Sequence, residues 1–237
     1  MPEISQQYGE AAARRSLELL EQASAAEAAV TGQFLDSLPP GTRAYQLEHR
    51  VKSPESLARK LVDWQDTNDR FPIDDILRYT VLTDTSDDLV ATTRRTADSL
   101  CERGWQVRHA MHSYSDGSRY KGIHAHFVVS GAPRIEVQIH SVASAQVKDL
   151  TTPWYRIERS ADATPDERGA ARQRCVEASA TLRTPQGIDE LTTLGGKRVA
   201  VTNYSDSRKM VEERAQRNAA QASPHITSLE KNGGIAR

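Results

Sequence analysis

From 10 to 38 apolar residues recur at three- or four-residue spacing, at Leu19, Ala23, Ala26, Val30 and Phe34, which predicts an amphipathic helix stopped by Pro39-Pro40-Gly41. A second helix is predicted from Ser53, an N-cap followed by Pro54 at the first helical position, to about 66, with Leu57, Leu61 and Trp64 as its buried stripe. The period then changes. Residues 73–83 are β-branched and apolar enough for a strand, 86–103 read as a helix closed by Gly104, and 105–113 alternate as a further strand. After the turn signal Asp116-Gly117-Ser118, 120–129 and 134–140 read as a hairpin joined across 130–133. Helical patterns return at 142–150 and 165–182, separated by a turn at Pro153-Trp154-Tyr155. This order predicts an α/β (α+β) fold, a mixed sheet of about five strands flanked by helices.

At 237 residues the chain can bury one good core. The expected organisation is a helical flank at 1–40, a catalytic core at 41–160, a second helical flank at 161–194 and a polar, partly disordered tail at 195–237. Within that tail, 207–222 carries one more helical pattern and Asn232-Gly-Gly-Ile-Ala-Arg reads as frayed. With 27% charged residues and a formal net charge of −1, no global field favours nucleic acid or a membrane, so any anion must be bound locally. Cys101 and Cys175 stand in helical segments without metal-ligand spacing, the pattern of buried, inert thiols in a reducing compartment. The N-terminus has no basic stretch followed by an apolar core, and no run reaches the ~18 apolar residues of a membrane span, so a cytoplasmic protein with no membrane partner is expected.

Arg50 and Lys52 flank the mouth of the second helix, and Ser56 and Lys60 project from it one turn apart. Fixed cations beside unpaired helix-start N–H groups suit an oligophosphate, although basic residues at a helix start are more commonly a solvated face. Asp75 lies at the mouth of a strand, and alternation in Ile135-Glu136-Val137-Gln138-Ile139-His140 puts Glu136, Gln138 and His140 on one face. Solvent exposure would produce such a face as well. Two carboxylates on adjacent strands would instead make a hard oxygen site for magnesium, which takes one or two carboxylates plus substrate phosphates. Tyr120 and His124 share a strand face with Gly122 between them, leaving room for a flat base to stack, and His126 continues that face.

Taken together and in this order, these segments resemble the synthetase domain of the RelA/SpoT homologue family, the alarmone synthetases, over about half the chain, roughly Tyr45 to Tyr155. Arg-x-Lys-Ser-x-x-Ser-x-x-x-Lys matches at Arg50, Lys52, Ser53, Ser56 and Lys60; the metal-binding Asp matches at Asp75; Tyr-x-Ser-x-His matches at Tyr120 and His124; and Glu-x-Gln-Ile-Arg-Thr matches at Glu136, Gln138 and Ile139. The resemblance implies a nucleotidyltransferase-like fold in which Arg50, Lys52, Ser53, Ser56 and Lys60 hold ATP. Asp75 and Glu136 would bind Mg2+, Tyr120 would stack on the acceptor base, and Glu136 would take the proton of the attacking hydroxyl with His124 near the acceptor. The implied reaction is transfer of the β,γ-pyrophosphate of ATP to a ribose 3′-hydroxyl, by default of GDP or GTP.

Three departures stand out. Asp116-Gly117-Ser118-Arg119 replaces the family's Lys-x-Asn-Gly, leaving Arg119 or Lys121 to supply the acceptor-side cation; Gly122 replaces Ser; and His140 replaces Arg. Gly122 and His140 point to a divergent branch, and Gln138-Ile139-His140-Ser141 with Ser144, Lys148, Pro153, Tyr155 and Arg159 resembles the toxin-like or phage-associated variant of the domain. With no second histidine/aspartate cluster of the hydrolase kind, the resemblance implies a small stand-alone synthetase. For such a chain the alternatives are adenosine nucleotides or the tRNA 3′ end as acceptor, with an antitoxin or a second copy of the chain as partner. A further alternative is a catalytically weak module of the same fold that binds nucleotide or RNA.

Overall fold

The computed structural model describes residues 2–65, 75–160 and 162–205. A short helix α1 (Pro2–Tyr8) leads into the long helix α2 (Glu10–Asp36), whose Ala23, Val30 and Phe34 enter the core as the apolar period predicts. The strand β1 (Arg43–Ala44) and a 3₁₀ turn at Leu47–His49 precede α3 (Pro54–Gln65), whose first turn is capped by Ser53 Oγ accepting from Ser56 N at 3.3 Å. Then follow β2 (Leu77–Thr83), α4 (Leu89–Glu102), β3 (Gln106–His112), β4 (Ile123–Val128), β5 (Ile135–Ser141), α5 (Val142–Arg159), α6 (Pro165–Ala180), β6 (Thr193–Leu194) and β7 (Lys197–Val201).

The strands form one seven-stranded mixed sheet in the order β1-β2-β5-β4-β3-β7-β6, with helices around it. The central pair β2 and β5 is parallel, and β4 is antiparallel to both β5 and β3. The architecture is the expected α+β class, with more strands than the five predicted. The extra strands come largely from 193–201, which the sequence reading divided between a helical flank and a polar tail. There Gly195 (φ 51°) and Gly196 (φ 73°) make a two-residue turn with both φ positive, the geometry that joins two tightly paired strands. The predicted helix at 207–222 and the frayed end at 232–237 lie outside the described residues.

One face of the sheet is apolar. Leu77, Tyr79 and Val81 of β2, Ile135, Val137 and Ile139 of β5, and Ile123, Ala125 and Phe127 of β4 pack with α2 and α4, and Phe34 stacks on Tyr79 at 4.6 Å. The proline expected to end a helix at 153 sits inside α5. There the hydroxyls of Thr151 and Thr152 donate to the Lys148 carbonyl at 3.1 and 2.8 Å, one residue before the Asp149 carbonyl that would take the N–H Pro153 lacks. Among the described residues no helix is long and apolar enough to cross a membrane. Cys175 is buried and Cys101 half-buried, both as free thiols.

Candidate active site

The other face of the sheet carries polar side chains that are nonetheless buried. Glu136, Gln138 and His140 of β5 are 7%, 5% and 0% exposed, and His124 of β4 is 5% exposed. Solvation therefore does not explain this face; polar groups withdrawn from water must satisfy one another. They do so in a continuous chain. Glu136 Oε1 lies 2.6 Å from His124 Nδ1, and His124 Nε2 lies 2.9 Å from the Tyr120 hydroxyl. That hydroxyl lies 2.7 Å from His140 Nε2, and His140 Nδ1 lies 3.0 Å from Ser144 Oγ at the start of α5. Gln138 Oε1 accepts from Lys148 Nζ at 3.2 Å.

Burial works against the charge on Glu136, but the hydrogen bond from His124 and the charges of His124, His126 and Arg78 outweigh it and hold the carboxyl well below its ordinary value. Burial, with Lys148 and His124 nearby, keeps His140 neutral. The Tyr120 hydroxyl is pushed well up by burial. Glu136 is thus an ionised carboxylate in a water-poor place, and the chain of rings beside it is uncharged at His140 and Tyr120.

Tyr120 does not reach this position from a strand, as the pattern predicts: β4 begins at Ile123, and Tyr120 lies in the loop before it. The loop is pinned from several sides. Ser118 Oγ donates to Tyr120 O at 2.8 Å, Ser179 Oγ of α6 donates to Arg119 O at 2.9 Å, and Arg119 N donates to Ser205 Oγ at 3.2 Å. Arg119, expected at the acceptor, instead pairs with the fully buried Glu158 at 3.2 Å and stacks over Tyr155 at 4.9 Å. A guanidinium that neutralises a buried carboxylate is committed to the scaffold. Lys121 is buried, at 8% exposure.

The cations form a second group at the entry to β2. Residues 50–52 run beside that strand: Arg78 N donates to Arg50 O at 2.8 Å and Lys52 N to Ile76 O at 3.0 Å. This pairing orders Arg50, Lys52 and Asp75 at one end of the sheet. Lys52 Nζ lies 2.6 Å from Asp75 Oδ2, and Lys60 Nζ, from α3, lies 2.7 Å from Asp75 Oδ1. Arg50 Nε donates to Glu27 of α2, which Thr31 also binds at 2.5 Å. Ser56 stands on the same first turn of α3 that Ser53 caps.

Glu136 lies on β5 and Asp75 just before β2, at different depths, Asp75 three residues ahead of Arg78, the register partner of Glu136. Among the described residues no three His, Cys, Asp or Glu side chains gather as a ready metal cage. Both carboxyls are nonetheless held below their ordinary values. Each carboxylate oxygen has two acceptor directions, so Asp75 keeps capacity beyond its lysines. Such a donor set suits magnesium that arrives with substrate phosphates, which needs only one or two protein carboxylates.

Several residues of this face escape a reading by motif. Arg78 is the register partner of Glu136, His126 faces Glu136 from β4, and Tyr204, beyond β7, sets its ring edge-on to Tyr120 at 5.4 Å. Arg78 and His126 share the strand alternation of their neighbours and were legible to that extent; nothing local marks Tyr204.

No protein-family model matches the chain, and no curated protein does. Among solved structures it is similar to small alarmone synthetase 1 from Bacillus subtilis, at 14% identity over 89% of this chain and 98% of that one, with a TM-score of 0.45. Small alarmone synthetase 2 from Bacillus subtilis is 16% identical over 84% of this chain and 97% of that one, with a TM-score of 0.46. The chain is also similar to a structure of the Type VI effector Tas1 in complex with its immunity protein, at 20% identity over 87% of this chain and 96% of that one, with a TM-score of 0.36. At these identities and scores the likeness assigns no activity to this chain.

Proposed function

We propose that the chain is an ATP-dependent pyrophosphokinase that transfers the β,γ-pyrophosphate of ATP to the ribose 3′-hydroxyl of a purine nucleotide, GDP or GTP first among them. One observation carries this reading: a buried, ionised carboxylate at Glu136 on one strand and, at the entry to the strand paired with it, two lysines converging on Asp75. Transfer of a phosphoryl-type group needs positioning and charge neutralisation more than covalent help, and that is the chemistry such a site offers.

In the proposed reaction Arg50, Lys52 and Lys60 bind the phosphates of ATP, and Ser53 and Ser56 lie at the helix start that faces them. The acceptor oxygen attacks the β-phosphorus, the new O–P bond forms as the bond to the α-phosphate oxygen breaks, and AMP leaves. The hydroxyl proton passes to Glu136. Tyr120, Gln138 and Lys148 line the acceptor side. Asp75 and Glu136 are the residues that would hold Mg2+, which when bound offsets phosphate charge as it builds up on the leaving oxygen.

The test is a transfer assay with purified protein, magnesium and ATP labelled at the γ-phosphate, offering GDP, GTP, AMP, ADP, ATP and deacylated tRNA separately, with Glu136→Gln as blank. Label arriving on one nucleotide as an intact pyrophosphate establishes the reaction and its acceptor. Absence of transfer to every acceptor, with ATP binding intact, overturns it in favour of a nucleotide-binding module.

A further inference from the structure

Five successive residues of the loop that leads to Tyr120 are each hydrogen-bonded to the short segment that follows β7. Ser115 Oγ donates to Thr202 O at 3.4 Å, and Asn203 Nδ2 donates to Asp116 O at 2.9 Å. Ser205 Oγ donates to Gly117 O at 2.8 Å, and Tyr204 N donates to Ser118 Oγ at 3.3 Å. Arg119 completes the row, its N donating to Ser205 Oγ and its Nε to Tyr204 O, both at 3.2 Å. Four of these five loop residues are Asp116-Gly117-Ser118-Arg119, the stretch that departs from the family's Lys-x-Asn-Gly. A loop whose own sequence has diverged is thus clasped by residues 85 to 88 positions further along the chain.

Tyr204 carries this clasp into the site. Its ring stands edge-on to Tyr120, with the two planes 85° apart, and its centroid lies 6.2 Å from that of His124. The hydroxyls of Tyr204 and Thr202 both donate to Met111 Sδ at 3.7 Å, and Met111 is the register partner of His124 in the β3–β4 pair. The Tyr204 ring is therefore held by its backbone at the loop and by its hydroxyl at β3, and between the two it meets Tyr120. Tyr120 needs such support because it lies ahead of β4, where no strand ladder directs its side chain, and edge-on aromatic pairs favour a definite mutual orientation. The lysines on Asp75 lie at the entry to β2, which β5 and β4 separate from β3.

We propose that Tyr204 is a positioning residue for Tyr120 and thereby sets the affinity for the acceptor nucleotide without touching that for ATP. Its part in acceptor binding rests on the pyrophosphokinase reading, in which Tyr120 stacks on the acceptor base. A ring held in place in advance takes a base at little ordering cost, whereas a ring free to swing must be ordered as the base arrives, and that cost comes out of the affinity.

The experiment is NMR of the full-length protein labelled at tyrosine rings and histidine nitrogens, titrated with GDP, GTP, AMP and ADP in turn, with ATP binding followed by calorimetry. The Tyr120 ring signals should move with one of these nucleotides. Tyr204→Leu should weaken that nucleotide about tenfold, within what a base–aromatic stack contributes, and leave ATP within about twofold. Tyr204→Phe keeps the ring and loses only the bond to Met111, so it should recover most of the loss. In the free protein Tyr204→Leu should also broaden the nitrogen signals of His124 and His140, both of which bond the Tyr120 hydroxyl. Should Tyr204→Leu not fold, Ser205→Ala, which removes the bonds to Gly117 and Arg119, takes its place with an expected loss of about threefold. In transfer assays the same variants should raise the KM for the acceptor and leave the KM for ATP unchanged. Equal losses for acceptor and ATP, an acceptor affinity indifferent to both Tyr204→Leu and Ser205→Ala, or Tyr120 signals that none of the nucleotides moves, overturns the proposal. Tyr120 signals that follow a nucleotide and depend on Tyr204, in a protein that transfers no pyrophosphate, would sink the pyrophosphokinase reading alone.

Discussion

Arg78 stands directly opposite Glu136 in the parallel β2–β5 pair, so a guanidinium and a carboxylate leave the same buried face at the same depth. Arg78 adds to the charges that keep Glu136 ionised, with the His124 hydrogen bond as the larger contribution against burial. Replacing Glu136 by Gln keeps an oxygen for His124 Nδ1 and removes the base. Turnover should fall about 10²- to 10⁴-fold with ATP binding retained, and the melting temperature should drop because the charges facing Glu136 lose their partner. Parallel kcat and calorimetric measurements decide it, and full activity in Glu136→Gln would remove the assigned proton acceptor.

Asp75 ties together two lysines from different elements, Lys52 ahead of α3 and Lys60 within it. Burial raises its carboxyl, but the two ammonium groups more than compensate and hold it below the ordinary 3.8. Stabilisation from such a group is complete above the ordinary value and is lost as pH falls through the lower folded value. Asp75→Asn should therefore cost about 1–3 kcal/mol at neutral pH, measured by urea unfolding, and the difference from the unmodified protein should shrink in strong acid. A difference independent of pH would mean that the two lysines draw no stability from the charge.

Local pattern carried most of the architecture and stopped at contacts made across the chain. The period of α2, the Ser53 cap, the β2–α4–β3 succession and the β4–β5 hairpin are all written in neighbouring residues. Pro153 misleads because a proline read locally ends a helix, while here the packing of α5 on α6 keeps it going. The Gly195-Gly196 turn was a readable hairpin signal, but with a strand of only two residues before it the alternation is too short to register. At the site, alternation puts Glu136, Gln138 and His140 on one face, yet only tertiary packing makes that face buried. That Arg119 would serve Glu158, thirty-nine residues on in another element, has no local sign.

Lys148, which the proposed reaction places on the acceptor side, has a strongly perturbed ammonium. Burial, and then the charge of Arg78, bring it down to about 8 from 10.5, against the opposite pull of Asp149 and Glu136. Between those values the unfolded chain holds the extra proton, so stability rises with pH across that window. Below it the fold bears the whole cost of the buried charge, about 3 kcal/mol. Lys148→Met should abolish this rise in urea midpoints. On the proposed reaction the same loss of charge removes an acceptor-side cation, so kcat/KM should fall on the alkaline side with a midpoint near 8. Lys148→Arg, charged throughout, should shift that limb upward; an alkaline limb unmoved by either substitution would assign it to another group.

Glu158 of α5 is fully buried, and two guanidinium groups share it: Arg172 Nε of α6 donates to Oε1 at 3.0 Å, and Arg119 Nη1 lies 3.2 Å from Oε2. Arg119 also donates from Nε to Tyr204 O at 3.2 Å, so one side chain joins the Tyr120 loop, the segment after β7 and the α5–α6 pair. Removing one partner of a buried ion pair leaves charge without compensation, whereas removing both ends does not. Arg119→Met should destabilise the fold by about 3 kcal/mol, and Glu158→Gln in the same chain should recover part of that loss, because the remaining Arg172 then faces a neutral acceptor. The double-mutant cycle, read by urea unfolding, measures the coupling. Since Arg119 adjoins Tyr120, Arg119→Met should also broaden the His124 and His140 nitrogen signals. Additive free energies together with sharp imidazole signals would show that Arg119 acts on neither Glu158 nor the Tyr120 loop.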